Sequence, residues 1–154
     1  MNSLDLQPLT AERFQPFGDV LDPNFEGPRV DHAAKLSNAR LTAVPNLLLV
    51  RSTVVQLPHA VARMERHAFS SQTFLPLANA RSIIAVARDN GCGAPDASTL
   101  AAFASDGQGF SYKAGIWHIP LATLIEHCAF AVFMYCDGTV EDTHWANLDA
   151  YCLR

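Results

Sequence analysis

From Leu47 onward the chain is a succession of short apolar segments, each broken within a few residues by glycine, proline, asparagine or aspartate. LLLVRSTVV, TFLPL, SIIAVA, LAAFA, GFSY and AFAVFMY follow one another in this way. β-Branched and aromatic residues fit a pleated, half-buried surface, and punctuation this frequent leaves little room for helices of ordinary length. Short strands at such spacing predict a sandwich or a barrel. One helix is expected, near the start. Thr10 is placed to cap a short run from Ala11 to Phe17, with Phe14 and Phe17 on one face and Gly18 ending it. Asp19 to Asp22 reads as a short strand. Residues 23 to 40, punctuated by Pro23, Gly27 and Pro28, read as irregular. ATLIEH, residues 122 to 127, suits a helical turn and a strand equally. There is no internal repeat or linker, so the expectation is a single mainly-β domain over residues 1 to 154.

Composition narrows the partners. At 49% hydrophobic and 17% charged residues, the chain can bury a sizeable core. A net charge of -4 argues against nucleic acid, whose phosphates call for a basic surface. The longest apolar stretch, near Cys128 to Tyr135, is the size of a strand and too short for a membrane span. The opening MNSLDLQPLTAERF has neither the basic nor the apolar region of a secretory signal. Cysteines stand at 92, 128, 136 and 152 with no C-x-x-C pair, which fits reduced thiols in a cytoplasmic protein. Cys128 and Cys136 lie in apolar surroundings and read as core filler.

One segment does not fit a chain occupied with its core. MERHAFSSQTFLPL, residues 64 to 77, sets Glu65, Arg66, His67, Ser70, Ser71 and Gln72 against a run of apolar residues. Side chains alternate along a strand, so Glu65 and His67 share a face and Arg66 points away. The spacing E-x-H-x(4)-Q is similar to the first motif of cupin barrels, H-x-H-x(4)-E, with Glu65 in place of the first histidine and Gln72 in place of the glutamate. A second half-motif, G-x-x-H, occurs as Gly115-Ile-Trp-His118, with Lys113 where cupins carry a proline. In a small barrel the two halves bring Glu65, His67, Gln72 and His118 to one mouth.

Longer stretches resemble one family more closely. PLTAERFQPFGDVLD, LPHAVARMERHAFSSQTFLPL and PDASTLAAFASDGQGFSYKAGIWHIPL together are similar to the ureidoglycolate lyase family, also called ureidoglycolate hydrolase. The resemblance implies a cupin-like β-barrel that forms a homodimer, splits ureidoglycolate into glyoxylate and urea, and works with a divalent ion such as nickel. The chain departs from the family pattern in two places. VDHAAKLSNAR carries Asp31 and His32 where an asparagine and a small residue are expected, and CAFAVFMYCDG lacks an arginine after Tyr135. These departures leave a second reading open: a non-catalytic cupin-like domain that binds a small molecule.

The chemistry implied has three requirements. A base takes the hydroxyl proton of ureidoglycolate, an acid serves the departing urea nitrogen, and a cation or hydrogen-bond donors hold the carboxylate. His67 and His118 titrate near working pH and suit proton transfer, with Glu65 as an alternative base. Two imidazoles and a carboxylate also suit a divalent transition metal, nickel or zinc, with Gln72 as a weak fourth ligand. Lys113 is expected to anchor the substrate carboxylate from the strand that bears His118, with Tyr112, Ser71 and Gln72 as hydrogen-bonding groups. Trp117 reads as packing, His59 as a loop residue, and His127 and His144 as surface or structural. Arg51 and Arg63 have the fork to hold a carboxylate bidentately, but surface ion pairs are the default reading for each.

Overall fold

A computed structural model describes residues 2–154. Fourteen strands run through it: β1 (Asn2–Leu4), β2 (Gln7–Pro8), β3 (Gly18–Leu21), β4 (Val44–Arg51), β5 (Thr53–Val54), β6 (His59–Arg66), β7 (Gln72–Pro76), β8 (Ser82–Ala87), β9 (Ala101–Ala104), β10 (Gly109–Tyr112), β11 (Trp117–His118), β12 (Ala122–Thr123), β13 (Ala129–Cys136) and β14 (His144–Leu153). The one α-helix among the described residues, α1, spans Ala11–Phe14. Thr10 caps it as expected, its hydroxyl accepting the Arg13 N–H. The helix is shorter than the sequence suggests because Pro16 has no N–H to continue the ladder. Phe14 and Phe17 are nevertheless both buried. The segment 122 to 127 opens as a strand and then turns. His59 begins β6 and so is not a loop residue.

The strands form two sheets. The smaller runs β3-β10-β7-β13-β4. The larger runs β1-β14-β6-β11-β8-β12-β5, with β9 on the other edge of β8 and β2 beyond it. The architecture is a mainly-β, cupin-like barrel in which the larger sheet curls into half a barrel and the smaller closes it. The main core lies between the sheets. Ile84, Val86 and Phe103 of the larger meet Phe74, Phe110, Tyr112, Phe130 and Val132 of the smaller. Phe14 packs edge-on against Phe103, so the short helix plugs one end of this core. A second cluster, built on Val61, Met64, Trp117 and Leu153, fills the opposite face of the larger sheet. The sheets therefore alternate as strands should: His118 and Val86 face inward while Trp117 and Met64 face the second core. Gly18 lets β3 press onto β10, since a Cβ there would stand 2.0 Å from the Ser111 carbonyl oxygen.

Candidate active site

Strand pairing assembles the polar cluster. β11 contributes only two residues, and its His118 lies directly opposite Glu65 of β6. Directly paired residues share a face, so both project between the sheets. His67 follows β6 by one residue and keeps the parity of Glu65. Gln72 comes from the other sheet, where it pairs with Tyr112 on one side and Met134 on the other. The ligand atoms of Glu65, His67 and His118 all lie within 4.8 Å of one another. The His118 Nε2 stands 3.8 Å from the Glu65 Oε1, and the two imidazole centroids are 5.4 Å apart.

Main-chain carbonyls orient both rings. His67 Nδ1 lies 2.6 Å from the Asp142 carbonyl oxygen, and His118 Nδ1 lies 3.0 Å from that of Ile116. A carbonyl can only accept, so each Nδ1 carries the proton and each Nε2 keeps its lone pair. These two Nε2 atoms, together with the Gln72 Oε1, are buried and have no hydrogen-bond partner. Three unpartnered acceptors thus converge on one carboxyl group. A buried polar group without a partner costs about 1–3 kcal/mol, so the cluster is built to receive something that satisfies it.

Burial sets the protonation states. It pushes the Glu65 carboxyl up to about 7, against the opposing charge of Arg63. Burial, followed by the neighbouring His67, drives His118 down to about 3. His67 is lowered by burial as well, with the Asp142 carbonyl and Gln72 opposing. Both imidazoles are therefore neutral acceptors at neutral pH, contrary to the expectation that they titrate near it. The Tyr112 phenol is raised by burial and stacks on His118, ring centroids 4.2 Å apart at 18°.

The other expected site residues fall differently. Ser71 is buried with its hydroxyl accepting the Ser37 N–H, which ties down the loop before β4. Lys113 lies beyond β10, in the smaller sheet's connection, and not on the strand of His118. Its ammonium donates to the Gln15 carbonyl at the end of the helix, on the exposed surface. Asp31 is exposed and pairs with Arg29. His32 borders an apolar hollow of about 580 Å³ on the outer face of the smaller sheet, away from the polar cluster. That hollow, lined by Phe25, Val30, Leu47, Leu75 and Phe133, is roomy but carries no convergent chemistry. The orphaned, buried acceptors mark the site better than volume does. His127 is held by the Ser52 carbonyl and His144 by Glu141, in structural roles. Cys128 is buried as expected, while Cys136 is only half-buried. Neither Arg51 nor Arg63 has an acidic partner among the described residues.

Arg40 and Asp142 have no signal in the motifs, yet they hold the site's edge. Arg40 bridges Asp137 and Asp142. The Asp142 carboxylate also accepts the N–H groups of Asp137 and Gly138. The residue whose carbonyl orients His67 is thereby fixed in a tight turn. Only long-range proximity reveals this bridge, since Arg40 and Asp142 are 102 residues apart.

Fold and site together define a cupin-like small-molecule protein with a buried carboxylate–imidazole cluster of the kind that ligates metal ions. Comparison with known proteins narrows this. The whole chain, residues 1–154, matches the family described as ureidoglycolate lyase. It is similar to the putative ureidoglycolate lyase of Agrobacterium fabrum, 37% identical over 144 residues that cover 93% of this chain and 89% of that one. It is similar also to the ureidoglycolate lyases of Burkholderia mallei (strain NCTC 10229), at 37% identity, and Pseudomonas savastanoi pv. phaseolicola, at 32%, each over 86% of this chain and 82% of the relative. The chain belongs to the ureidoglycolate lyase family.

Proposed function

We propose that this protein is a lyase that cleaves ureidoglycolate into glyoxylate and urea, as a step in the use of purine nitrogen through allantoin. The observation that carries the reading is the convergence of Glu65, His67 and His118 with both Nε2 lone pairs turned inward and unpartnered. Family membership supplies the substrate.

The reaction moves one proton. Glu65, held near pH 7, takes the proton from the substrate hydroxyl. The freed oxygen pair forms the glyoxylate carbonyl as the carbon–nitrogen bond breaks, and the bonding pair leaves on the urea nitrogen. Glu65 then returns its proton to that nitrogen, so none is consumed overall. A carboxyl that titrates near the working pH both accepts and releases a proton readily, which contributes on the order of 10²- to 10⁴-fold. His67 and His118 accept hydrogen bonds and fix the substrate; as neutral acceptors they do not serve as the acid. Tyr112, kept protonated by burial, backs His118, and Gln72 closes the cluster from the opposite sheet.

The same residues suit a divalent cation. Glu65, His67 and His118 would hold it with Gln72 as fourth ligand, because their ligand atoms converge and both Nε2 atoms and the Gln72 Oε1 are unpartnered acceptors. Bound there, such an ion would polarise the substrate's oxygen atoms.

We further infer a homodimer in the cytoplasm, functioning as one catalytic domain. The outer face of the smaller sheet supports the dimer, for it leaves Leu47 and Leu49 of β4 more than two-thirds exposed, beside Leu75 and Leu77. Purified protein incubated with ureidoglycolate should accumulate glyoxylate and intact urea. Chelation followed by nickel or zinc readdition should lower and then restore the rate. Release of ammonia in place of urea, or no glyoxylate with any metal, would overturn the proposal.

A further inference from the structure

The lyase reading needs a cation or donors for the substrate carboxylate, and the lysine expected to supply the charge donates instead to the Gln15 carbonyl. The cations on the segments that build the site are Arg40, Arg63, Arg66 and Lys113. Arg40 is taken by Asp137 and Asp142, and Arg66 by Asp89. Lys113 donates to the Gln15 carbonyl. Arg66 also lies over Trp117, which belongs to the second core, so it sits on the far side of the sheet from the cluster.

Arg63 remains. It makes no ion pair or side-chain hydrogen bond among the described residues. It lies two residues before Glu65 in a stretch of unbroken pairing with β14, where Arg63 faces Asn147 and Glu65 faces Trp145. Arg63, Glu65 and Trp145 therefore share one face, with Arg63 about 6–7 Å along the strand from Glu65. Its guanidinium carbon lies over the Trp145 ring, 4.1 Å from the centroid. A cation–π contact uses none of the guanidinium's N–H donors as hydrogen bonds to a carboxylate, so they remain available for a planar anion. Trp145 is 45% exposed and Arg63 is exposed, so both are open to a ligand arriving from solvent.

We propose that Arg63, braced by Trp145, is the anchor for the carboxylate of the substrate. This rests on the lyase reading above and names the binding group it lacks. The arrangement is economical. A cation already stacked has lost much of its freedom before the substrate arrives, and a bidentate contact fixes the carboxylate in the plane of the fork. The carbinol carbon would then lie next to the carboxylate, toward Glu65. Selectivity follows as well: a neutral amide offers the fork one uncharged acceptor in place of two charged oxygens.

The test compares wild type with Arg63→Met and Arg63→Lys, using ureidoglycolate for kinetics and glyoxylate and its neutral amide for calorimetric binding. Arg63→Met should raise KM about 10- to 100-fold with kcat within a few-fold, as expected for loss of a charged hydrogen-bonding partner made in ground and transition state alike. It should also abolish the preference of wild type for glyoxylate over the amide, while Arg63→Lys keeps part of it. An unchanged KM in Arg63→Met, or a loss that falls equally on the neutral amide, would overturn the assignment. Wild type that releases no glyoxylate would overturn the lyase reading and this anchor with it; wild type that does, beside an unaltered Arg63→Met, sinks the anchor alone.

Discussion

Glu65 is the residue on which both chemistry and stability turn. Its folded carboxyl is raised from an ordinary 4.5 to about 7 by burial. A raised value means that the folded state binds the proton more tightly, so its stabilising contribution is complete below pH 4.5 and is lost as pH rises through about 7. His118 runs the other way: lowered from 6.5 to about 3, its contribution is present above pH 6.5 and lost as pH falls toward 3. In Glu65→Gln the first dependence disappears. Melting curves of the metal-free protein should show the variant gaining on wild type between pH 4.5 and 7, by up to about 3 kcal/mol, while its glyoxylate release falls at least about 10²-fold. A constant difference in melting temperature across that range would contradict the burial argument. The motifs made Glu65, His67, Gln72 and His118 legible as a group, because strand parity and half-motif order survive in the sequence. Their protonation was not legible. Burial of the imidazoles depends on Tyr112 and the opposite sheet, which no local pattern reports. The same burial, with His118 1% exposed, means that truncating it removes packing as well as chemistry.

Among the elements, the strands that read clearly from sequence are those with continuous apolar or β-branched runs, such as β8, whose six residues are all buried. β14 was not foreseen, though it is the longest strand at 10 residues. Its face alternates half-buried and exposed residues, and it carries Asn147 and Asp149, so its period is real but its polarity masks it. β11 was legible only as a motif, since two residues have no period at all. β3 depends on a glycine whose reason is contact and not conformation. Gly18→Ala would drive a methyl into the Ser111 carbonyl and Phe14, so β3 must separate from β10. A loss of at least about 2 kcal/mol by urea denaturation is expected, well above the 0.5–1 kcal/mol that alanine ordinarily gains over glycine in a regular element. A neutral or stabilised variant would mean that the edge strand yields without cost.

At the scale of the whole molecule, the two faces of the smaller sheet have divided labour. One closes the site with Gln72 and Tyr112; the other presents leucines to solvent. Leu49→Glu places a charge at the centre of that outer face, opposite Ala131. Light scattering should report a dimer for wild type and a mass near 16.8 kDa for the variant, with the fold retained by circular dichroism. A wild-type monomer would count against the dimer, and a variant that remains dimeric would place the interface elsewhere. The orientation of the two histidines belongs to this scale also, because it is set by how the chain is routed. Asp142 and Ile116 hold the rings through their carbonyls, a group that every amino acid possesses. No substitution at either position can delete the acceptor itself; only a change in the path of the backbone can. The tautomers are thus inherited with the fold, and a lineage is free to vary the side chains around them while the inward-facing lone pairs persist.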